Sequence, residues 1–259
     1  MRVLVVSDIH SNLDALDAVL ADAGQWDVLW SLGDVVGYGP QPNECIARLS
    51  EHEHLAIPGN HDWGVLEKLD LSEFNADARQ ANLWTRNQLS AVSRAYLEAL
   101  PSTRVGGDVT LAHGSPRYPI WEYLIYASSA RVSFAHFHTS ICLVGHTHLP
   151  VIFRFMPSAS STSDSREGRG QNPPVSGQCQ ASQPVEGREV LLDQQRYIIN
   201  PGSVGQPRDG DPRAAYLLFD PEGKTIEHRR VVYDIEATQK KMRRVDLPPR
   251  QIARLAHGW

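Results

Sequence analysis

Side chains that commonly bind metal ions follow short apolar runs at five points along this sequence. Each group stands beside a glycine or at a sharp turn, which lets the backbone come close to a bound ion. The side chains that we single out are Asp8, His10, Asp34, Asn60, His113, His146 and His148. Carboxylate, amide oxygen and imidazole together suit borderline divalent ions such as Mn, Fe, Zn, Co or Ni. Because no thiolate joins the set, a structural zinc site is not expected.

Seven donors are too many for one tetrahedral site, and they fit two adjacent ions if one carboxylate bridges them. Two ions about 3.5–4 Å apart can lower the pKa of a bridging water, hold a phosphoryl group and stabilise its in-line displacement. Taken singly, the residues say little: Asp8 could cap a helix, and His146 and His148 could be surface or core residues. Their order along the chain, each at the end of an apolar run, indicates a metal site.

Strands and helices must bring these residues together, and the apolar pattern predicts where those elements lie. Strands are predicted in the segments RVLVV, DVLWS, HLAIP, VTLAH and ICLVG, each of which runs into one of the groups. Helices are predicted over residues 12–23, 42–51 and 76–100. The carboxyl ends of the strands form the ligand crevice of an α/β sheet. We therefore expect all seven donors at one edge.

The last third of the chain is rich in strands. A strand predicted at VIFRF comes before them, and those of the last third are REVLLD, RYIIN, AAYLLFD and TIEHRRVVYD, followed by a basic helix that starts near residue 234. This order predicts an α/β fold in which two mixed sheets pack face to face and are flanked by helices. We expect one domain over residues 1–259. Residues 157–187 are rich in Ser, Gly, Pro and Gln, so we expect a disordered insertion there, with a substrate lid as the alternative.

Composition narrows the class of protein. Hydrophobic residues make up 41% and charged residues 21%, as in ordinary globular proteins. The net charge of -5 argues against bulk nucleic-acid binding, and the basic run at residues 240–244 has no interleaved aromatic residues, which favours a solvated helix face. No apolar run reaches the roughly 18 residues of a membrane span, and the first residues lack the pattern of a signal peptide. Three cysteines at unrelated spacings make no disulfide framework. We expect a cytoplasmic protein with no membrane partner.

The ordered motifs resemble those of the calcineurin-like metallophosphoesterase superfamily over about residues 1–155. The matching blocks are Asp8-x-His10, Gly33-Asp34-x-x-Gly37, Gly59-Asn60-His61-Asp62, His113 and Gly145-His146-x-His148. The segments GDVVGYGPQPNEC and NPGSVGQPRDGDPRAAYLLFD resemble its small prokaryotic phosphodiesterase-type branch, which extends the likeness to nearly the whole chain. The resemblance implies one metal held by Asp8, His10, Asp34 and His148. It implies a second held by Asp34, Asn60, His113 and His146, with Asp34 as the bridge.

The resemblance also assigns His61 as the catalytic histidine. His61 would steady the oxyanion of the transition state or protonate the leaving oxygen, and Asp62 would orient it. A metal-activated water would attack phosphorus directly, without a covalent intermediate.

Three further residues are candidates for binding the phosphate. Asn12 follows His10 by two residues and could reach a phosphate oxygen or cap the next helix. Arg117 and Arg208 lie in loops near strand ends, where an arginine fork suits phosphate but could equally form a surface ion pair. Tyr38, in the turn GYGP, is a candidate for the pocket wall.

We therefore expect a metal-dependent hydrolase of small phosphate esters, with a phosphodiesterase favoured and Mn as the favoured ion. A phosphatase acting on proteins or on nucleotides such as dinucleoside polyphosphates is the alternative enzyme, because the motifs do not separate the two. A non-catalytic metal-binding scaffold is the alternative from another class. It is disfavoured because no ligand position is substituted. The natural substrate and the oligomeric state stay open.

Overall fold

The computed structural model describes residues 1–158 and 176–259. Twelve strands are present in those residues: β1 (Val3–Val6), β2 (Val28–Ser31), β3 (His54–Ala56), β4 (Thr103–Gly106), β5 (Val109–Ala112), β6 (Ile141–Leu143), β7 (Val151–Pro157), β8 (Gly177–Ser182), β9 (Glu189–Leu191), β10 (Arg196–Asn200), β11 (Ala214–Asp220) and β12 (Thr225–Val231). The same residues form eight α-helices: α1 (Leu13–Asp22), α2 (Pro42–Ser50), α3 (Asn60–Val65), α4 (Ala76–Gln88), α5 (Ala91–Glu98), α6 (Ala127–Ser133), α7 (Ile235–Arg244) and α8 (Pro249–Arg254).

The strands form two mixed sheets of six strands each. The first has the order β3-β2-β1-β11-β12-β9, in which β1, β2 and β3 are parallel. The second has the order β4-β5-β6-β10-β7-β8, in which β5, β6 and β10 are parallel. All of these parallel strands except β10 run into predicted metal donors, and the carboxyl ends of the parallel strands lie at one edge of each sheet.

Alternation along β1 shows why the two sheets pack face to face. Val3 and Val5 belong to a buried cluster with Leu111 and Leu143 of the second sheet. Leu4, between them, faces the opposite way and packs in the cluster that includes side chains of α1 and α2. Both faces of the strand are therefore covered, which explains a run of four apolar residues rather than an alternating pattern. Each such side chain contributes roughly 1.5–3 kcal/mol when fully buried.

Helices cover the outer faces, as the sequence predicts. Helices α1, α2 and α5 lie against the first sheet, and α6 lies against the second. A further cluster joins α4, α7 and α8 around Tyr38. The predicted fold of two mixed sheets flanked by helices is confirmed. No helix within the described ranges has the length and apolar character required to cross a bilayer.

The predicted helix over residues 76–100 is two helices. Helix α4 ends at Gln88, and Ser90 starts α5 by accepting a hydrogen bond from the backbone N–H of Ser93 at 3.1 Å. A serine side chain at this position satisfies a backbone donor that the start of a helix leaves free, which favours a new helix over continuation.

The segment expected to be a disordered insertion is ordered in part. Strand β8, Gly177–Ser182, pairs antiparallel with β7, and Cys179 packs against the cluster beneath α6. The expectation is therefore wrong for these residues, because backbone pairing holds a segment whose side chains are mostly polar. Residues 159–175 of the predicted insertion lie outside the described residues.

Candidate active site

All seven predicted metal donors lie at the carboxyl ends of parallel strands and meet between the two sheets. Asp8 and His10 follow β1, Asp34 follows β2, and Asn60 begins α3 directly after the loop that follows β3. The remaining donors follow β5 and β6 in the second sheet, namely His113, His146 and His148. None of the seven side chains is more than 3% exposed. The structure thus brings together the complete predicted set in a buried cluster.

The carboxylate of Asp34 stands at the centre of this cluster. Its Oδ2 lies 3.7 Å from His10 Nε2 and 3.4 Å from His113 Nε2. One carboxylate oxygen thus faces donors on both sides, which is the geometry that a bridging ligand needs. Its other oxygen, Oδ1, accepts a hydrogen bond from the backbone N–H of His61 at 2.8 Å, which fixes the orientation of the carboxylate.

On one side of Asp34 the donors are Asp8, His10 and His148. Asp8 Oδ1 lies 3.3 Å from His148 Nε2, and the Nε2 atoms of His10 and His148 are 3.1 Å apart. On the other side, His113 Nε2 lies 3.2 Å from Asn60 Oδ1. Two groups of three ligand atoms, one atom from each residue, are close enough to share an ion. Within each group the atoms lie within 4.8 Å of one another, and the groups are Asp8, His10 and His148, and Asp34, His113 and His146.

Backbone carbonyls fix which nitrogen each of three histidines presents to the cluster. The Nδ1 atoms of His10, His113 and His148 face the carbonyl oxygens of Val36, Leu32 and Gln206 at 3.2, 2.8 and 2.5 Å. A carbonyl can only accept, so each Nδ1 carries a proton. Each ring therefore directs Nε2 inward, as metal-binding histidines usually do when the second nitrogen donates to a carbonyl.

These contacts test whether the donors fit a cation. The Nε2 atoms of His10 and His148 both present lone pairs at 3.1 Å, an arrangement that repels unless a positive charge lies beside them. Asp8 Oδ1 and His146 Nε2 are buried and have no hydrogen-bond partner among the described residues. Buried polar atoms are normally partnered, and a divalent ion on each side of Asp34 would satisfy all of them. The donors fit two ions.

Backbone strain coincides with this cluster. Five of the seven predicted ligands have positive φ angles, between 49° and 67°: Asp8, His10, Asp34, His146 and His148. Residues other than glycine avoid this region, and each such residue costs on the order of 1–3 kcal/mol, so clusters of them occur at functional sites. The strained backbone conformations of this structure thus include those of most of the predicted metal ligands.

The charge distribution reflects the same convergence. Burial raises the pKa of Asp34, but His113, His61 and His10 outweigh it and hold that pKa well below the usual range. Burial lowers the pKa of His113, but Asp34 and Asp8 outweigh it and raise the pKa to about 9. At neutral pH the metal-free site thus holds a proton on His113, which a metal ion would displace.

Asn82, on α4, determines the tautomer of His61. Its Nδ2 lies 2.8 Å from His61 Nδ1 and 2.8 Å from the carbonyl oxygen of Ala78. Only an amide nitrogen can donate to both, because a flipped Asn82 would place its oxygen against that carbonyl. His61 Nδ1 is therefore an acceptor and Nε2 carries the proton. Burial lowers the pKa of His61 to about 4, so the ring is neutral at pH 7.

The carboxylate of Asp62 accepts hydrogen bonds from backbone N–H groups and makes none with the imidazole of His61 among the described contacts. Its carboxylate accepts backbone N–H groups from Val35 at 3.3 Å, Val36 at 3.0 Å and Gly59 at 2.9 Å. These bonds tie the loop that carries Asp34 to the start of α3. Burial, together with the charge of Asp34, raises the pKa of Asp62 to about 7 against the effect of these bonds. The predicted catalytic role of Asp62 stays a prediction, and the structure gives it a structural one.

The three predicted phosphate-binding residues differ in their surroundings. Asn12 caps α1 through Oδ1 and donates through Nδ2 to the carbonyl of Gly205 at 2.9 Å, so both ends of its amide are engaged. Arg117 forms an ion pair with Glu122. Arg208 has a buried Nε with no hydrogen-bond partner among the described residues.

Arg208 stands close to the donor cluster. Its guanidinium lies 5.8 Å from the centre of the Tyr38 ring, which itself lies 4.6 Å from the ring of His10 and 4.3 Å from that of His61. Burial and the charge of Arg208 lower the pKa of His148. Arg208 Nη2 donates to Gln206 Oε1 at 2.9 Å, and unlike Arg117 it has no acidic partner among the described residues.

Sequence patterns did not single out Asn82, nor the rings of Trp121 and Tyr123 beside His146. Tyr123 stacks on His146 with ring centres 3.9 Å apart, and Trp121 lies 5.9 Å from it. No local signal marks these residues, because they reach the site through tertiary packing.

A two-sheet fold with a buried cluster of aspartate, asparagine and histidine donors at one edge defines a metal-dependent hydrolase. Residues 1–224 match the family model described as the calcineurin-like phosphoesterase superfamily domain, and the chain belongs to this superfamily. Members use divalent metal ions at a dinuclear site, for which the structure provides the ligand groups described above. The protein is a metallophosphoesterase, that is, a phosphoester hydrolase.

Similarity to other proteins extends along the whole chain. A metallophosphoesterase from Sphaerobacter thermophilus has 45% sequence identity and a TM-score of 0.84, covering 100% of this chain and 99% of that one. An uncharacterized protein of Methanocaldococcus jannaschii is 37% identical over 253 residues, which is 95% of this chain and 93% of the relative. A hypothetical protein from Pyrococcus horikoshii shares the fold, with 19% sequence identity and a TM-score of 0.74. The similarity covers 100% of this chain and 98% of the Pyrococcus chain.

Proposed function

We propose that this protein is a phosphodiesterase that works with two divalent ions, Mn²⁺ being favoured. The observation that carries the two-ion site is the position of Asp34 Oδ2 between His10 Nε2 and His113 Nε2. In this proposal the first ion is bound by Asp8, His10, Asp34 and His148. The second is bound by Asp34, Asn60, His113 and His146.

Two ions held by these residues would supply positive charge for the phosphoryl oxygens and would lower the pKa of the attacking water. The protein supplies the geometry. Backbone carbonyls hold the imidazoles in the metal-binding tautomer, so little reorganisation is needed when ions and substrate bind. Burial of the donors keeps competing water out and strengthens their interaction with charge.

His61 is proposed to donate a hydrogen bond from Nε2 to the leaving oxygen. The lowered pKa of His61 supports this role over full proton transfer, because a neutral imidazole is a hydrogen-bond donor but a poor source of a full proton. Two nearby cations would lower its pKa further. An aligned donor of this kind accelerates reactions by about 10²–10³-fold.

Arg208 is proposed to bind a non-bridging phosphoryl oxygen. Arg208 lies beside Tyr38, and its described hydrogen bond goes to the neutral amide of Gln206 rather than to an acid, whereas Arg117 is paired with Glu122. The preference for diesters is supported by the resemblance of the sequence to the phosphodiesterase-type branch.

A matched pair of substrates tests this function. Metal-stripped protein reconstituted with Mn²⁺ should hydrolyse bis(p-nitrophenyl) phosphate with a higher kcat/KM than p-nitrophenyl phosphate. A His61→Asn variant, which keeps the metal donors, serves as the control for trace contaminating phosphatases. A higher kcat/KM for the monoester would replace the proposal with a phosphatase. Absence of hydrolysis of both esters under every metal tested would overturn the enzymatic proposal.

A further inference from the structure

A cavity of about 290 Å³ opens beside the candidate metal centre. Two residues of the site, Asn60 and His61, contribute to its lining. Four aromatic side chains line it as well: Tyr38, Phe74, Trp121 and Tyr123. A group attached to the oxygen that His61 contacts would therefore extend into an aromatic chamber.

The rings of the lining contact one another and two histidines of the site, and one of them is half exposed. Phe74 lies edge-to-face with His61 at 5.3 Å between centres and contacts Trp121 at 5.0 Å. Tyr123 lies nearly parallel to His146, with an angle of 22° between the rings. Tyr123 is 50% exposed, so burial in the protein core does not account for its position. Such faces are suited to stacking with a planar ligand.

The charge of the lining limits what the cavity can bind. Glu73 is the one acidic side chain among the described residues that line the cavity, and it accepts a hydrogen bond from Trp121 Nε1 at 3.0 Å. An acidic side chain disfavours a second phosphate and favours a neutral ring that has N–H donors. A leaving group that is itself a phosphate, as in an anhydride, is therefore a poor fit.

We propose that this cavity binds a planar aromatic ring carried by the alcohol that leaves phosphorus, with a nucleoside as the best fit. The inference rests on the proposed function, because His61 both lines the cavity and contacts the leaving oxygen. In the reaction, water forms the new bond to phosphorus, the bond from phosphorus to the nucleoside oxygen breaks, and the nucleoside leaves as the alcohol with a proton from the water.

The position of bond cleavage tests the proposal. The methyl diester of adenosine 5′-phosphate can release either adenosine or methanol. The cavity predicts release of adenosine and methyl phosphate. An abasic analogue, the methyl diester of 1-O-methylribose 5-phosphate, has the same leaving oxygen without the base. Its kcat/KM should be lower by roughly 5- to 100-fold, the range expected for one stacked base.

Variants of the lining isolate the rings. Trp121→Leu and Tyr123→Leu should remove most of the difference between the two diesters, because they should lower the rate on the nucleoside diester more than the rate on the abasic analogue. Tyr118→Leu is the matched control, because Tyr118 is an exposed aromatic residue of the same loop that does not line the cavity. Equal rates for both diesters in the wild-type protein, or release of methanol and adenosine 5′-phosphate, would overturn the inference and leave the phosphodiesterase proposal intact.

Binding of adenosine alone separates the two proposals. The Mn²⁺-loaded wild-type protein and Tyr118→Leu should bind adenosine in calorimetric titrations, whereas Trp121→Leu should bind it at least about 5-fold more weakly. Adenosine binding without hydrolysis of any diester would support the cavity and contradict the proposed function. If the protein hydrolyses diesters but does not bind adenosine, the proposed function is supported and the proposed role of the cavity is contradicted.

Discussion

Replacing Asn82 by aspartate should reverse the tautomer of His61 without removing any metal donor. In the wild-type protein the amide nitrogen of Asn82 donates to His61 Nδ1 at 2.8 Å and so keeps the proton on Nε2. A carboxylate of the same shape can only accept, so it would draw the proton to Nδ1. His61 would then present a lone pair, rather than a donor, to the leaving oxygen.

The size of the effect follows from the strength of that hydrogen bond. A hydrogen bond to a charged group contributes about 1.5–3 kcal/mol. The new hydrogen bond to the carboxylate at position 82 would thus lower the population of the productive His61 tautomer by roughly 10- to 150-fold, since each 1.36 kcal/mol is tenfold. We expect kcat on diesters of poorly leaving alcohols to fall by about that factor. Asn82→Ala, which removes the donor without adding an acceptor, should have a smaller effect.

Two measurements check this expectation. Nitrogen NMR of the Zn²⁺-loaded, diamagnetic protein with labelled histidine distinguishes a protonated from an unprotonated Nδ1. Kinetics with alkyl and nitrophenyl leaving groups shows whether the loss is confined to oxygens that need stabilisation. Thr85→Val is the matched control, because Thr85 is fully buried in the same helix and no contact with His61 is described for it.

Either measurement can refute the reasoning. If Nδ1 stays unprotonated in Asn82→Asp, then Asn82 does not determine the tautomer. If Nδ1 becomes protonated and kcat on alkyl diesters is unchanged, then His61 is not a donor in the reaction. An equal loss with nitrophenyl esters would point to a disturbed fold, which the melting temperature would reveal.

Three further outcomes are expected. Arg208→Ala should lower kcat/KM by roughly 10- to 100-fold through loss of a charge-assisted phosphate contact, whereas Arg117→Ala, already paired with an acid, should change it less than about twofold in steady-state assays. A Cβ added at Gly59 would overlap the carboxylate of Asp34, so Gly59→Ala should lower metal content and activity at least about tenfold. Gly106 has open space around it, so Gly106→Ala should leave both quantities unchanged. Replacing residues 157–187 by a short linker removes β8 from the sheet. The melting temperature should therefore fall by a few degrees, on the order expected for losing about 1–2 kcal/mol of stability. An unchanged melting temperature would show that β8 adds no stability.

Local pattern was enough to predict that the seven candidate donors meet at one edge of the sheets. Each donor stands at the end of an apolar run, and the strand that the run forms fixes where the donor lies. Val3 to Val6 and the donor Asp8 are close in sequence, so sequence alone relates them. The pairing of the two sheets then followed from strands that are apolar on both faces.

Contacts between distant parts of the chain could not be predicted. The carbonyl of Gln206 orients His148 from 58 residues away, and any residue type could supply that carbonyl. Asn82 contacts His61 from the fourth helix, where an asparagine has no local signal. Strand β8 was missed for a related reason: backbone pairing with β7 holds it in place, and amino-acid composition does not report backbone pairing.

Metal content measured alongside turnover in Asp34→Asn tests the two-ion site most directly. The wild-type protein, after reconstitution and removal of free metal, should retain two ions per chain and lose activity on chelation, with Mn²⁺ or Co²⁺ restoring it. Because Asp34 Oδ2 faces His10 and His113 alike, Asp34→Asn should weaken both ions together and abolish turnover, whereas His61→Asn should keep both ions. Loss of a single ion with turnover retained, or full activity in metal-stripped wild-type protein, would contradict the account.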